Sequence, residues 1–463
     1  MKTLSIAFRN LLRNRRRSTR TLLAMVVGLT AVLLFGGYAR NVTYGLQTTF
    51  VRGEGHLQIQ RKNYFLYGAG DPMAYGIDRY QHVIDVVRAD KVLAPLVTVA
   101  TPLLSVSGIA GNYGAGVSST VIGVGIVVDD QNRMRQWNDY GFPRRAAPLS
   151  LTSTGGDSAV IGTGLGRILR LCGPLNIPDC ALNGGVRKAS TGPAQPADIA
   201  QLSALAAADM PKVDSTGIQL LAANAYGAPN VAQLTVVKAE SQGVRAVDDR
   251  YLQLHLPEAQ KLIYGNEPGK ATAIAVQLHH TADLPAAMQR IRQLEATTLK
   301  DDDLDVLDFR TLNPQYLQIT GMFSAIFGFV TLLIGVIVMF MVGNTMSMAV
   351  MERTVEIGTL RAMGVRRLGV LRIFLLEGAL LGLLGAALGI GCALLGAWAI
   401  NHGGFHWTPP GEIDPVPFTV RLFGETRMIA GYAVGIVLIA ALSAFWPARR
   451  AARMPVVDAL LFA

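Results

Sequence analysis

Four stretches of the chain, 21–39, 319–346, 373–400 and 428–446, are apolar almost throughout. A helix needs roughly 20 apolar residues to cross a bilayer, and each stretch is about that long or longer. Residues 40–316 separate the first from the second and have the mixed composition of a globular domain. The chain therefore reads as an α-helical membrane protein with four transmembrane helices and a large α+β domain inserted between helices 1 and 2. Hydrophobic residues make up 51% and charged residues 16%, and mean hydropathy is +0.34. That is too apolar for an ordinary soluble enzyme.

The formal charge of +10 could suggest a nucleic-acid partner, but its distribution argues against one. Lys2, Arg9, Arg13, Arg15, Arg16, Arg17 and Arg20 precede the first apolar stretch, with no acidic residue among them. Arg353, Arg361, Arg366, Arg367 and Arg372 lie between the second and third, and Arg449, Arg450 and Arg453 follow the fourth. These flanks are the ones that the positive-inside rule assigns to the cytoplasm. Both termini are then cytoplasmic, and 40–316 and the loop 401–427 lie outside. Within residues 1–20, Leu4, Phe8, Leu11 and Leu12 form one helical stripe among arginines. That pattern suits an amphipathic arm in contact with anionic membrane lipids. The basic start could also belong to a cleaved signal peptide. No small-x-small cleavage site follows, so a retained helix is expected.

The large insert opens with Gly55–Gln60, GHLQIQ, an alternating strand pattern. A helix over 79–90 follows. The insert closes with a strand at Ala271–Leu278, a helix at Leu284–Leu294 and a strand at Leu304–Phe309. One α/β subdomain built from about 40–110 and 266–316 is expected, with a more β-rich subdomain, about 111–265, inserted in it. Segment 184–217 reads as a loop. Cys172 and Cys180 flank Pro174 and Pro178; they would form a disulfide in an oxidising compartment, or remain two thiols. No His stands near them, which makes a poor metal site. Cys392 reads as packing within its span.

Gly321, Gly328 and Gly335 recur at steps of seven in the second stretch. Such a step drifts only about 20° around a helix, so a packing stripe is expected. In the third stretch Gly378 and Gly382, then Gly385 and Gly389, form small-x3-small pairs suited to close helix approach. Glu377 is a lone carboxylate in that apolar stretch. It reads as a structural partner for a polar group near the inner face, with an energetic role as the alternative.

Strings that imitate nucleotide sites fail on inspection. Gly265-Asn-Glu-Pro-Gly-Lys-Ala is one residue short of a P-loop and lacks the Ser or Thr for magnesium. Gly162-Thr-Gly-Leu-Gly has its third glycine at the wrong step for a dinucleotide turn. His279 and His280 adjoin a strand and point to opposite faces. No catalytic residue, metal ligand or cofactor site is assigned to this chain.

What remains is Met351–Gly364, MERTVEIGTLRAMG, a charged helix of about four turns within the cytoplasmic segment 347–372. Glu352 and Glu356 share a face, as do Ile357 and Arg361. Met351, Ile357, Leu360 and Met363 offer apolar anchors for a partner's groove.

ERTVEIGTLRAMG followed by RIFLLEGALLGLLGAALG resembles the FtsX/MacB-like ABC transporter permeases, and the ending PARRAARMPVVDALL resembles that family's cytoplasmic tail, 447–463. The resemblance implies a coupling helix that docks on a separate ATPase through Met351, Glu352, Arg353, Glu356, Ile357, Leu360, Arg361, Met363 and Gly364. It implies a non-catalytic subunit of the bacterial inner membrane. Its partners would be a cytoplasmic ABC ATPase dimer, which holds the ATP and Mg, and a second permease copy or paralogue. The insert would be periplasmic. The layout resembles the lipoprotein-releasing permeases, implying a lipoprotein or other amphiphile as cargo. The alternatives are a tripartite efflux pump permease and FtsX-like signalling to a cell-wall hydrolase.

Overall fold

The computed structural model describes residues 15–68, 71–142, 146–178, 216–408 and 413–456. The arm residues Leu4, Phe8, Leu11 and Leu12 lie outside them, as do Cys180, most of 184–217 and the end of the tail from 457. Contacts divide the chain into two compact units. One takes in the chain up to Gly45, Gln315–Trp407 and the chain from Val416; the other takes in Leu46–Pro314 and Thr408–Pro415.

The first unit is helical. Its helices are α1 (Arg15–Glu54, whose last residues belong to the second unit), α6 (Pro314–Glu352), α7 (Thr354–Ala362), α8 (Arg367–His402) and α9 (Thr426–Arg453). All but α7 are long and apolar enough to cross a membrane. Between α8 and α9, His406–Trp407 pairs with Val416–Pro417 as a small ladder. Large apolar side chains such as Phe329, Leu332, Phe340 and Leu442 are exposed, as a lipid-facing surface requires. The fourth helix does not stop at 446, where its apolar stretch ends. It continues through a buried Pro447 to Arg453. A proline inside a helix removes one backbone bond and kinks the helix without having to end it.

α8 is packed through its glycines. A Cβ on Gly378 would come within 2.7 Å of Ala444, and one on Gly382 within 2.9 Å of the Val437 backbone, both on α9. Gly385 and Gly389 press on Met25 and Leu29 of α1 at 2.9 and 3.0 Å. The seven-step stripe of α6 is different and corrects the sequence expectation. A Cβ on Gly321 or Gly328 would meet nothing within 4 Å, and one on Gly335 only Ile439 at 3.4 Å. α6 packs instead through Val338, Val342 and Met346, spaced by four. The clefts it fills belong to α1, where Gly28 lies against Ile334 and Gly36 against Phe327. Cys392 is a free thiol and exposed, so it does not pack within its span as the sequence suggested.

The second unit contains β1 (Leu57–Arg61), α2 (Tyr80–Ala89), β2 (Val97–Asn112), β3 (Val117–Ile126), β4 (Ser158–Gly162) and α3 (Thr163–Ile168). There follow β5 (Gly217–Ala223), β6 (Pro229–Glu240), β7 (Tyr251–His255), α4 (Leu256–Tyr264), β8 (Ala273–Leu278), α5 (Leu284–Ala296) and β9 (Leu304–Asp308). The first half of β2 pairs with β8, β8 with β1, and β1 with β9, all antiparallel. Two split β-α-β units, β1-α2-β2 and β8-α5-β9, thus interleave as in ferredoxin-like folds. Val83, Ile84 and Val87 of α2 and Ala287, Ile291 and Leu294 of α5 are buried.

The rest of β2 starts a different structure. β2 pairs with β3, β3 with β7, β7 with β4, β4 with β6, β6 with β5, and β5 with β2 again. These pairings close a ring, which leaves no open sheet edge. The ring is pseudo-symmetric. Hairpin β2-β3 leads to β4 and helix α3, while hairpin β5-β6 leads to β7 and helix α4. The two parallel pairings, β3 with β7 and β6 with β4, exchange under the same operation. β2 is one strand that serves both parts, so the division expected at about 110 falls within a shared strand.

Candidate functional site

MERTVEIGTLRAMG does not form one four-turn helix. Met351 and Glu352 are the end of α6. Arg353 then leaves the helical backbone at φ −113, ψ 17, and α7 is a separate helix of 9 residues. Two side chains account for the break. Thr354 Oγ1 donates back to Met351 O at 2.9 Å and Val350 O at 3.2 Å, which satisfies terminal carbonyls of α6. The Arg353 side chain turns inward to Glu377. α7 ends at Gly364, which has φ +90. Gly364 N–H bonds to Arg361 O at 3.0 Å and Val365 N–H to Leu360 O at 3.1 Å. This is the paired closure of a Schellman motif, and it needs a residue without a Cβ at that φ.

The inner face of α7 is spent within the chain. Ile357 is 3% exposed. It sits in a cluster with Val350, Val370 and Phe374 and with Ala448, Ala451 and Ala452 of α9. Arg361 Nη1 donates to Met454 O at 2.6 Å and to Ala452 O at 3.4 Å, so a guanidinium caps the carbonyl end of α9. Arg353 Nη1 lies 3.3 Å from both Glu377 oxygens, with the two side chains 5% and 4% exposed. Arg353 and Ile357 are therefore too buried to offer a partner much surface, while Arg361 is half-buried and bonds within the chain. They hold the helix to its own chain.

The opposite face is open. Met351, Glu352, Val355, Glu356, Thr359 and Met363 are exposed, while Leu360 is half-buried at its edge. Val355 at 47% and Met363 at 69% exposed give this surface apolar anchors, with the two glutamates between and beside them. The sequence reading omitted Val355 and Thr359. Their signal was present, since Glu352, Val355, Glu356, Thr359 and Met363 recur at helical spacing. It also omitted Ala448, Ala451 and Ala452, whose i, i+3, i+4 spacing among arginines marks a small-residue face.

The other singled-out residues lie away from this elbow. Cys172 is disulfide-bonded, and Cys180 is outside the described residues. The Gly162-Thr-Gly-Leu-Gly turn opens α3, but its amides are already taken. The buried Asp248 carboxylate accepts from Thr163 N at 3.0 Å, Gly164 N at 2.6 Å and Thr163 Oγ1 at 2.6 Å. A built-in anion thus occupies the place where a phosphate would sit. Lys270 of the P-loop-like string pairs with Asp78 at 2.6 Å. His280 Nδ1 lies 2.8 Å from Asp139 Oδ1. Among the described residues, no group of three or more His, Cys, Asp or Glu is placed to hold a metal ion.

Residues 325–456, which contain the elbow, α8 and α9, match the family profile described as FtsX-like permease C-terminal. The chain carries an FtsX-like permease domain. Over 247 residues it is 26% identical to LolC of Neisseria meningitidis serogroup B, a lipoprotein-releasing system transmembrane protein, covering 50% of this chain and 56% of that protein. Over 188 residues it is 31% identical to MacB of Shewanella sp. strain ANA-3, a macrolide export ATP-binding/permease protein, covering 40% of this chain and 26% of that one. The chain spans about half the length, or less, of these curated relatives. The periplasmic region of MacB from Actinobacillus actinomycetemcomitans, known from a crystal structure, is 14% identical at a TM-score of 0.30. That likeness covers 57% of this chain and 94% of the solved one. The fold of the second unit rests on its own strand pairings. In the permease domain, the exposed face of α7 and its two inward arginines are the features that invite a functional reading.

Proposed function

We propose that this chain is the permease subunit of an ABC complex of the LolC/MacB type, transmitting ATP-driven motion from a separate cytoplasmic ATPase dimer. The chain would lie in the bacterial inner membrane with both ends in the cytoplasm, and it would act with a second copy or a paralogue. ATP and Mg would be held by the partner. The observation that carries the reading is the two-sidedness of α7. One face is pinned by Ile357 and Arg361, and by the bend residue Arg353, to α8 and α9, and the other presents Val355, Glu356, Thr359 and Met363, with Glu352 at the end of α6 beside them. A helix built only for packing has no reason to keep apolar anchors exposed beside the charged end of a span, whereas a helix that receives a push needs an exposed face and a fixed one.

The second unit, reached by the chain through α1 and α6, would be the periplasmic part that the motion serves. For cargo, the proposal is a lipoprotein or other amphiphile taken from the membrane. The similarity to LolC, a lipoprotein-releasing protein by name, supports it. The similarity to MacB favours export of a small amphiphile as the second reading.

The test is stimulated ATP turnover by the reconstituted complex. Val355→Asp, Glu356→Lys and Met363→Asp change only exposed positions, so the permease should fold and insert normally. Each should cut stimulated turnover by tenfold or more, about 1.4 kcal/mol in docking free energy. Full stimulation in all three variants would reject the docking face.

A further inference from the structure

Arg353 is the bend between α6 and α7, and its side chain follows neither helix outward. It runs to Glu377, within α8, where both carboxylate oxygens lie 3.3 Å from one guanidinium nitrogen. Water is excluded from both groups, at 5% and 4% exposure. Stability alone does not explain such a pair. A well-packed apolar pair in the same place is often as stable or more so, because burying two charges costs about what their attraction returns. What an apolar pair lacks is direction. Apolar contacts can slide past one another at little cost. A buried ion pair has one geometry, and sliding leaves two charges unpaired in an apolar setting.

That difference matters at a bend. The backbone at Arg353 is not helical, so a load on the exposed face of α7 could be absorbed by rotation there. Pinning the bend residue itself to α8 removes that freedom. Arg361, bonded to the last carbonyls of α9, fixes the other end of α7. We infer that the Arg353–Glu377 pair is a positioning strut that makes α7 and α8 move as one body. A displacement of α7 then reaches the far end of α8 instead of being lost in the bend. This rests on the docking role proposed for α7 and assigns the route by which its motion leaves the elbow.

The experiment places spin labels at Met363→Cys and Phe405→Cys in a Cys392→Ser background, with the chain reconstituted together with its ATPase. Both positions are exposed and lie in the helical unit, one at the foot of α8 and one just past its far end. The wild-type pair should give a narrow distance distribution that is the same without nucleotide and with ATP trapped. Arg353→Met/Glu377→Leu, which replaces the pair by apolar side chains, should bind the ATPase normally but give a broadened distribution that shifts with ATP. Glu377→Gln, which keeps the shape and loses the charge, should broaden it likewise and serves if the double variant does not assemble. A wild-type distance that shifts with ATP would overturn the strut. So would an apolar double variant indistinguishable from wild type, since packing alone would then suffice. If wild type shows no stimulated turnover, the docking reading fails, and the nucleotide-free widths of wild type and variants still decide the strut.

Discussion

His56 has no exposed surface and is held on both ring nitrogens. Nδ1 accepts from Leu278 N–H at 3.0 Å, and Nε2 lies 3.2 Å from Thr281 Oγ1, with the edge of Trp137 against the ring. Burial lowers its pKa to about 4, only partly countered by Asp139. Between its ordinary value of 6.5 and 4, the unfolded chain takes up a proton that the folded chain refuses. Stability of the second unit should therefore fall as pH drops through that window, by up to about 3 kcal/mol at 1.36 kcal/mol per unit. Glu295 works the other way. Burial, and then Asp305, raise its pKa to about 7, so the folded chain keeps a proton that the unfolded chain has released above 4.5. Its contribution is present below 4.5 and is lost as pH rises from there through about 7. Denaturant unfolding followed at Trp137, with the other tryptophans replaced by Phe, separates the two. His56→Gln should flatten the acid side of the profile, and Glu295→Gln should improve stability at pH 8 relative to pH 5. An unchanged pH profile in both would contradict these assignments. In the sequence Glu377 was conspicuous as a lone acid in an apolar run, whereas Arg353 was not. It stands in a charged stretch that reads as surface, and a separation of 24 residues has no periodicity to reveal a pair. His56 was hidden for a similar reason, since one His at a strand entrance looks the same whether buried or exposed.

Among the elements, α8 and α6 carry similar glycine patterns and use them differently. A larger side chain at Gly382 would run into the Val437 backbone. Overpacking of that kind costs about 1–3 kcal/mol. Gly382→Leu should lower the thermal midpoint in detergent, while Gly328→Leu, which meets open space, should leave it unchanged. Equal effects would contradict the packing assigned to α8. A stripe of glycines tells from sequence that one face is flat, but not whether that face meets a helix or lipid. The clefts that receive α6 lie on α1 at Gly28 and Gly36, neither of which has a glycine four residues away, so no glycine pair at that spacing marks them. The limits of α7 were equally hidden. Its end was marked by Gly364, but its start depends on Arg353 reaching Glu377, a tertiary contact that local propensity does not encode.

At the scale of the molecule, the apolar runs correspond to four helices of membrane-spanning length and composition. In the interleaved β-α-β units, β1, α2, β8, α5 and β9 lie close to where alternation and helical periodicity place them, whereas β2 has no such mark in the sequence. The closed ring was not legible. Its two halves have the same order of elements but no visible sequence repeat, and strand pairing across more than 100 residues leaves no local trace. Asp248 illustrates why a motif such as Gly162-Thr-Gly-Leu-Gly misleads: the carboxylate that occupies the turn stands 85 residues further along the chain, just before the strand paired with β4. In the proposed role, the helical unit receives motion through one face offered to an ATPase. The most direct measurement is site-specific photocrosslinking in native membranes from Val355 and Met363, with Phe405 as control. Cross-links to an ABC ATPase from Val355 and Met363, but not from Phe405, are the predicted result. Photoproducts that contain no ATPase, or equal yield from Phe405, would contradict it.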